Sequence, residues 1–525
     1  MKTIWYNGSV ITMDPAVSGS AVLCEDGRIL AVGEQDALLH AHPDALRKDL
    51  QGHALLPGFI DPHSHFSQVA SSLLQADLDG VDSCDEIGRR LMQFAEKHHA
   101  DAETWIIAKN YDTNLMPGQK DPDLAQIDAW LNCPLIVQQK SGHMGLFNSK
   151  ALAFLGITAD TPDPKGGKIG RAYGKLTGYL EENAYFDAMK KAPMASMETL
   201  LQAFREAQDL YASYGITTLQ DGMLVSQMLP IYQLLIRSHI MKLDLVAYPD
   251  HATYEAAKAE FPDHQHAYSD HIRMGGIKIF LDGSPQGRTA WMRTPYAGEK
   301  DYCGYGTLKD EEVLAAAEAA ARNHTQLLAH CNGDAASAQY IRCVQKAETE
   351  YPELAQLRPV IIHAQLLGLD QIPQAKELGM IASFFVAHVY HWGDVHIRNF
   401  GLERASKISP AASALAAGLP FTFHQDSPVI APDMMETLWC AVNRRTKNDV
   451  LLGAEERISI ENALKAVTIN AAWQYSEEAE KGSITPGKKA DFVILEQNPL
   501  TVNADDIRKI QVMETIKGGA SVYQH

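Results

Sequence analysis

Short apolar strands alternate with helical stretches through most of the middle of this 525-residue chain. Such alternation is typical of a parallel α/β core, because two parallel strands need a long, usually helical, crossover between them. Helical patterns cover, for example, residues 311–323 and 335–350. Eight strand–helix units predict an α/β fold, a distorted (β/α)8 TIM barrel with functional residues at the carboxyl ends of the strands. The predicted strands are residues 55–61, 216–221, 243–248, 277–282, 326–330, 360–363, 380–386 and 421–426.

Both ends of the chain have a different pattern, in which short strands are joined by tight turns. Residues 21–32 predict a hairpin that turns at Asp26-Gly27, and residues 512–523 predict a closing hairpin that turns at Gly518-Gly519. We expect the two ends to form one small β-sandwich from residues 1–55 plus 480–525.

One gap between the predicted barrel strands is too long for a single crossover. Residues 68–195 contain a strand-like segment, 135–139, and a stretch rich in Gly, Pro and Lys, 162–170. We interpret the gap as an inserted lid domain over the barrel mouth, since insertions of this length are usually functional. The barrel would then comprise residues 56–67 plus 196–479.

The charge balance narrows the range of partners. The chain has 46 Lys+Arg and 65 Asp+Glu, a formal net charge of −19, which argues against nucleic acid or an anionic membrane surface. It has no apolar run of about 20 residues and no signal-peptide pattern at its start. Its seven cysteines include no Cys-x-x-Cys pair. We expect a cytoplasmic protein that acts on a small molecule.

Histidines end several of the predicted strands. Alternate residues of an extended segment face the same side, so His63 and His65 can point together into the barrel mouth and offer two imidazoles to a metal ion. His330, His363 and Asp426 end three further strands. Each of these alone is better explained as a hydrogen-bonded histidine or a helix-capping aspartate. Four strand ends that bring nitrogen and carboxylate ligands to one mouth together predict a metal site.

Lys278 lies within a predicted central strand and has apolar neighbours on both sides. A buried ammonium group is costly unless it is neutralised or paired. Three solutions are open: a lowered pKa, an ion pair with Asp282 or Asp426, or reaction with carbon dioxide to give an anionic carbamate that can bind metal. The spacing alone favours the ion pair.

Motifs along nearly the whole chain resemble one family. They are Leu56 to His65, Lys278 to Ser284, Arg288-Thr289-Ala290, His330 with Gly333-Asp334, His363-Ala364-Gln365, Asp426-Ser427-Pro428 and Gly482 to Leu495. This set resembles the amidohydrolase superfamily, and specifically its branch of N-substituted formamide deformylases. The first and last motifs together are highly specific, whereas Arg-Thr-Ala or Asp-Ser-Pro alone would mean little.

The resemblance implies a metal-dependent hydrolase that cleaves an amide-like C–N bond, N-formyl or N-acyl, through a metal-bound hydroxide. It implies that His63, His65 and Asp426 bind one divalent ion and that His330 and His363 bind a second. Carboxylated Lys278 would bridge the two ions, and Asp426 would also be the general base. Zinc suits such a nitrogen and oxygen site, although iron, manganese or nickel would also fit. Barrels of this kind often pair, so we expect a homodimer.

Some residues depart from the family pattern. Cys331-Asn332 replaces a small apolar pair, and a packed free cysteine explains Cys331 better than a metal neighbour does. His424 stands where a small residue is expected; contact with substrate and filling of the barrel are equally consistent with it. Three further candidates for substrate contact are His143 in the insertion, Arg288 after the fourth strand and His388 after the seventh.

Two other functions stay in competition with hydrolysis. A mononuclear deaminase of the same superfamily commonly has Glu three residues after the fifth-strand histidine, where this chain has Gly333. A non-catalytic regulatory relative would be expected to lack ligands, whereas all six are present here. Both comparisons favour hydrolysis.

Overall fold

The computed structural model describes residues 1–140, 143–193 and 196–525. The chain divides into two compact units, one of residues 1–69 and 207–525 and the other of residues 70–206. Among the described residues, no helix combines the length and the apolar character that crossing a membrane requires.

Eight parallel strands form the centre of the larger unit, and we number them in chain order. They are β1 (Phe59–Ile60), β2 (Ile216–Leu224), β3 (Asp244–Pro249), β4 (Ile272–Met274 and Gly276–Phe280), β5 (Gln326–Cys331), β6 (Val360–His363), β7 (Ile381–Phe384) and β8 (Phe421–Phe423).

Each of these strands pairs in parallel with its neighbour in number. β1 to the first part of β4 form one sheet, and the second part of β4 to β8 form another. The division falls at Gly275 and Gly276, where a Cβ on Gly276 would lie 2.0 Å from the carbonyl oxygen of Gln326. The predicted parallel α/β order is therefore present, while hydrogen-bonded closure between β8 and β1 stays a prediction.

The helices that follow the strands bury alanine-rich faces. In Asp310–Arg322 the first turn is acidic and the last is basic, which complements the helix dipole, and Ala316, Ala317, Ala320 and Ala321 are buried. The other helices that lie in or extend into this unit are Gln35–Ala41, Phe66–Leu73, Met197–Ser213, Leu229–Ser238, Tyr254–Glu260, Asp334–Glu348, Gln371–Glu377, His388–Phe400, Leu402–Ala405, Ala411–Ala417, Met434–Asn443, Ile460–Ala466 and Ile469–Gln474.

Two mixed sheets are built from the ends of the chain. One contains Lys2–Tyr6, Ala21–Glu25, Arg28–Gly33 and Leu46–Asp49, and the other contains Ser9–Val10, Ala54–Pro57, Phe492–Leu495, Val512–Lys517 and Ala520–Gln524. Both predicted hairpins are present, and Asp26, Gly27, Gly518 and Gly519 all have positive φ at the turns. Trp5 and Phe492, whose ring centroids are 5.3 Å apart, belong to one hydrophobic cluster that contains residues of both sheets.

The predicted strand 55–61 is wrong in one respect, because it is two strands. Ala54–Pro57 pairs with Phe492–Leu495 in a terminal sheet, whereas Phe59–Ile60 is β1 and pairs with β2. The break falls at Gly58, where a Cβ would lie 2.4 Å from Cγ2 of Thr217. A side chain at this position would therefore collide with β2.

Residues 70–206 form a unit with a six-stranded mixed sheet of their own. Its strands, in spatial order, are Gly167–Ala172, Lys175–Glu182, Met144–Phe147, Leu135–Gln139, Ile106–Tyr111 and Gln75–Asp77. Its helices are Cys84–Lys97, Leu124–Trp130, Ser149–Phe154 and Asn183–Lys191. The strand predicted over 135–139 is present, and the interpretation of this unit as a lid stays a prediction.

Candidate metal centre

The segment after β1 brings two histidines to the end of β8. Nε2 of His63 lies 3.4 Å from Oδ1 of Asp426, and Nε2 of His65 lies 3.1 Å from the same oxygen. The backbone N–H of His65 donates to the carbonyl of Ser427 at 2.8 Å. Contacts of the first and eighth strand ends therefore hold these three side chains together, as their positions in the sequence predicted.

Asp426 has the properties expected of a carboxylate that binds a cation. Its Oδ1 is buried and has no hydrogen-bond partner among the described residues. Burial alone would raise the pKa of Asp426, but the neighbouring His65, His424 and Lys278 hold it below its ordinary value. The residue is also held at a φ of 56°, in the left-handed region that non-glycine residues seldom occupy.

Hydrogen bonds at the far ring nitrogen fix the tautomers of two histidines. Nδ1 of His63 lies 2.6 Å from Oε1 of Gln220, whose own amide nitrogen donates to Pro62 and Tyr475. Nδ1 of His330 lies 3.0 Å from Oδ1 of Asp282. Because both partner atoms are acceptors, each ring carries a proton on Nδ1, and Nε2 is the acceptor atom of the neutral ring. At His330 this atom lies 3.3 Å from Nδ2 of Asn332, which can donate to it. Burial lowers the pKa of His63 well below its ordinary value, so this ring stays neutral.

His330 and His363 lie side by side at the ends of β5 and β6. Their ring centroids are 4.6 Å apart, and Nε2 of His363 is 4.0 Å from Oδ2 of Asp426. His363 has a φ of 70° and Ala364 a φ of 44°, so the chain turns sharply where β6 ends. The structure thus brings the second predicted pair of ligands next to the first group.

Lys278 is fully buried on β4, and its Nζ lies 3.5 Å from Nε2 of His63. The expected ion pair is wrong: no carboxylate oxygen of the described residues lies within 4.0 Å of Nζ. Asp282 instead accepts from His330 and from the backbone N–H groups of Trp291, Asn332 and Gly333. Burial lowers the pKa of Lys278 to about 7, which corresponds to the first of the three solutions.

The predicted substrate contacts have protein partners of their own. Arg288 pairs with Glu299 at 2.8 Å. His388 is buried, and its Nδ1 lies 3.1 Å from Nε2 of His396. His424 is 0% exposed, which favours the alternative that it fills the barrel. Contact of any of these side chains with a substrate stays a prediction.

His143 belongs to the unit of residues 70–206, where its Nδ1 lies 3.1 Å from Oε2 of Glu182. The two residues before it, Ser141 and Gly142, lie outside the described part of the chain. Its substrate contact likewise stays a prediction.

The side chains that orient the histidines were not among the residues predicted from the sequence. Gln220 lies in the middle of the apolar strand β2, and Asp282 was considered only as an ion partner. A polar residue inside a buried parallel strand needs a hydrogen-bond partner, and this signal identifies Gln220. Ser383 on β7, 2.9 Å from Nδ1 of His424, has the same signal.

The donor set fits a divalent metal ion. Nitrogen atoms of His63 and His65 and an oxygen of Asp426 lie within 4.8 Å of one another. Unprotonated imidazole nitrogens and a carboxylate oxygen without a hydrogen-bond partner are the ligands that zinc, iron, manganese and nickel accept. Cys331 is fully buried and burial raises its thiol pKa well above the ordinary value, which agrees with a packed free cysteine.

Comparison with known proteins places the chain in a family. The model of the amidohydrolase family matches residues 48–523. The chain belongs to this family. A model described as an imidazolonepropionase-like composite domain of bacteria also matches residues 21–45.

Several known proteins are similar to this chain over almost its whole length. N-substituted formamide deformylase of Arthrobacter pascens is 26% identical over 99% of this chain and 97% of its own length. The putative amidohydrolase YtcJ of Bacillus subtilis is 25% identical over the whole of both chains. An uncharacterized metal-dependent hydrolase from Pyrococcus furiosus has the same fold, with a TM-score of 0.76 at 22% identity over 95% of this chain and 100% of that one. The resemblance seen in the sequence is confirmed.

Proposed function

We propose that this amidohydrolase is a metal-dependent hydrolase that cleaves the C–N bond of an N-formyl or N-acyl derivative of a small amine. The observation that carries the proposal is the convergence of His63, His65 and Asp426 at the ends of β1 and β8, with Lys278, His330 and His363 beside them. The similarity to a formamide deformylase over almost the whole chain supports the same reaction class.

His63, His65 and Asp426 would hold one divalent ion, and His330 and His363 a second. Lys278, carboxylated, would bridge the two ions. When bound, such ions lower the pKa of water and polarise a scissile carbonyl. Zinc suits the donor set, and iron, manganese or nickel also fit it.

Asp426 would transfer the proton in this reaction. Its low pKa keeps the carboxylate ionised at neutral pH, so one of its oxygens can take a proton from the attacking water. The same oxygen can return that proton to the leaving nitrogen. The balanced reaction consumes one water and one amide and releases one amine and one carboxylic acid, which is formate for an N-formyl substrate.

The test begins with metal analysis of protein purified without chelator, for which one to two divalent ions per chain are expected. A panel of N-formyl amines, N-acyl amines and cyclic amides is then assayed for release of amine. Asp426→Asn should lower kcat by at least about 100-fold, the typical contribution of a general base. Asp506→Asn, a change at an exposed carboxylate, should leave kcat unchanged.

Two outcomes would overturn the proposal. One is that the protein contains no divalent ion even after reconstitution with bicarbonate. The other is that it releases ammonia from an amidine and does not release amine from an amide. The second outcome would indicate the deaminase.

A further inference from the structure

His424 lies between two of the histidines that would bind metal. Its ring centroid is 5.2 Å from that of His63 and 5.1 Å from that of His363, and its side chain is 0% exposed. Phe385 covers another side at 5.5 Å. A ring enclosed in this way has no contact with water, so its two nitrogens depend on protein partners. In its neutral form the ring carries one N–H and one acceptor nitrogen.

Both nitrogens of this ring have a partner. Nε2 of His424 lies 3.1 Å from Nδ1 of His363, and Nδ1 of His424 lies 2.9 Å from Oγ of Ser383. A serine hydroxyl can donate or accept, so the position of the single proton on His424 decides the direction of both hydrogen bonds.

The neighbouring histidines indicate the direction of these two hydrogen bonds. His63 and His330 have Nδ1 partners that can only accept, the oxygens of Gln220 and Asp282, so both rings donate from Nδ1 and have Nε2 as their acceptor atom, which at His330 lies 3.3 Å from Nδ2 of Asn332. His363 presents the same atom towards Asp426 only if its own Nδ1 carries the proton. That requires His424 to accept at Nε2 and to donate from Nδ1 to Ser383.

We propose that His424 is a positioning residue for His363. It accepts a hydrogen bond from Nδ1 of His363, donates from its own Nδ1 to Ser383, and so keeps Nε2 of His363 unprotonated and fixed in direction. The role of His363 as a metal ligand and the choice of tautomer rest on the proposed function, whereas the two hydrogen-bond contacts of His424 do not. His424 accepts from His363 as the amide oxygen of Gln220 accepts from His63 and the carboxylate of Asp282 accepts from His330.

A pair of variants separates hydrogen bonding from packing. His424→Gln keeps an acceptor at the position of Nε2, and His424→Leu fills similar space without one. Metal affinity, measured by competition with a chelator, should fall about 10- to 100-fold in His424→Leu. It should stay within a few-fold of the wild-type value in His424→Gln.

His264→Leu is the matched control, because His264 is a buried histidine whose nitrogens have no partner among the described residues. It should leave metal affinity unchanged. Wild-type affinity in His424→Leu, or equal losses in the Leu and Gln variants, would overturn the proposal.

A readout without metal keeps this test independent of the proposed function. Neutron diffraction of the metal-free protein should place deuterium on Nδ1 of both His363 and His424. Deuterium on Nε2 of His424 would overturn the proposal, even for an active metalloenzyme. If the expected tautomers are found in a protein that binds no metal, the proposed function fails and the positioning role of His424 stands.

Discussion

Gly222 on β2 lies directly against the ring of His63, and a Cβ on Gly222 would lie 2.5 Å from Cε1 and 2.8 Å from Nδ1 of that imidazole. Non-bonded carbon atoms do not approach this closely, so the ring can occupy its place only beside a glycine. The same ring donates to Gln220, two residues earlier on the strand. β2 therefore both makes room for His63 and orients it.

Gly222→Ala should displace the ring of His63 and break its hydrogen bond to Gln220. We expect metal affinity to fall at least about tenfold, as for the loss of an orienting partner. Equilibrium dialysis followed by metal analysis measures this, and circular dichroism checks the fold. Gly33→Ala is the control, because the nearest atom to its Cβ would be 3.9 Å away. Equal metal binding by the two variants would contradict the argument.

Asp282→Asn should release His330 and the turn after β5 together. The carboxylate accepts four hydrogen bonds, and an amide in its place would point N–H groups at some of those donors. We expect a 10- to 100-fold loss of affinity for the ion that His330 and His363 would hold, and a loss of about 1–3 kcal/mol in the free energy of unfolding.

Asp334→Asn provides the comparison for Asp282→Asn. Asp334 accepts from the backbone N–H and Nε of Arg293 but contacts no ring of the metal centre. This variant should lose stability and keep its metal affinity. If it loses as much affinity as Asp282→Asn, the effect is one of loop stability and not of His330.

Lys278 should take up carbon dioxide increasingly as pH rises through 7. Burial lowers the pKa of Lys278 to about 7, so above that pH the metal-free side chain is mainly the neutral amine, the form that attacks carbon dioxide. With 13C-bicarbonate, carbon NMR should show a carbamate signal that is stronger at pH 8 than at pH 6. The signal should be absent in Lys278→Met and present in Lys509→Met, which alters an exposed lysine. A signal in both variants, or in neither, would exclude a carbamate at Lys278.

Asp244 should contribute to stability only above acidic pH. Burial alone would raise its pKa, but Lys481 and Lys517, each 2.7 Å away, hold it well below the ordinary value. A carboxyl group with a lowered folded-state pKa stabilises fully above its unfolded pKa of about 3.9, and that contribution is lost as pH falls through the folded value. At pH 7, Asp244→Asn should lower the free energy of unfolding by about 3 kcal/mol.

Urea unfolding at a series of pH values tests this expectation. The difference between wild type and Asp244→Asn should be constant from pH 7 to about 5 and should shrink below about 4. Asp506→Asn, which removes an exposed pair with Lys509, should cost less than about 0.5 kcal/mol throughout. A difference that grows in acid would contradict the assignment of a lowered pKa.

The parallel strands and the proximity of the candidate ligands were predictable because their signals are local. Val360–His363 is a strand with the bounds expected from its apolar run, and its final histidine lies where the carboxyl ends of parallel strands meet. The rule that those ends converge was sufficient to bring His63, His330 and Asp426 together from positions far apart in the sequence.

The features that differ from the sequence-based expectation depend on contacts between distant segments. The break at Gly58 is imposed by Thr217 and by a partner strand near the other end of the chain, neither of which a local pattern reveals. The missing ion pair of Lys278 has a similar cause. Asp282 has the right spacing, but its oxygens are occupied by N–H groups from two loops.

Residues 54–60 are divided between two sheets, and this division sets the order in which parts of the fold can form. A ribosome makes the chain from its amino end, so Ala54–Pro57 has no partner strand until Phe492–Leu495 has been synthesised. Asp426, too, emerges long after His63 and His65. It follows that Ala54–Pro57 can pair only after the whole candidate ligand set, whose last member is Asp426, has been synthesised.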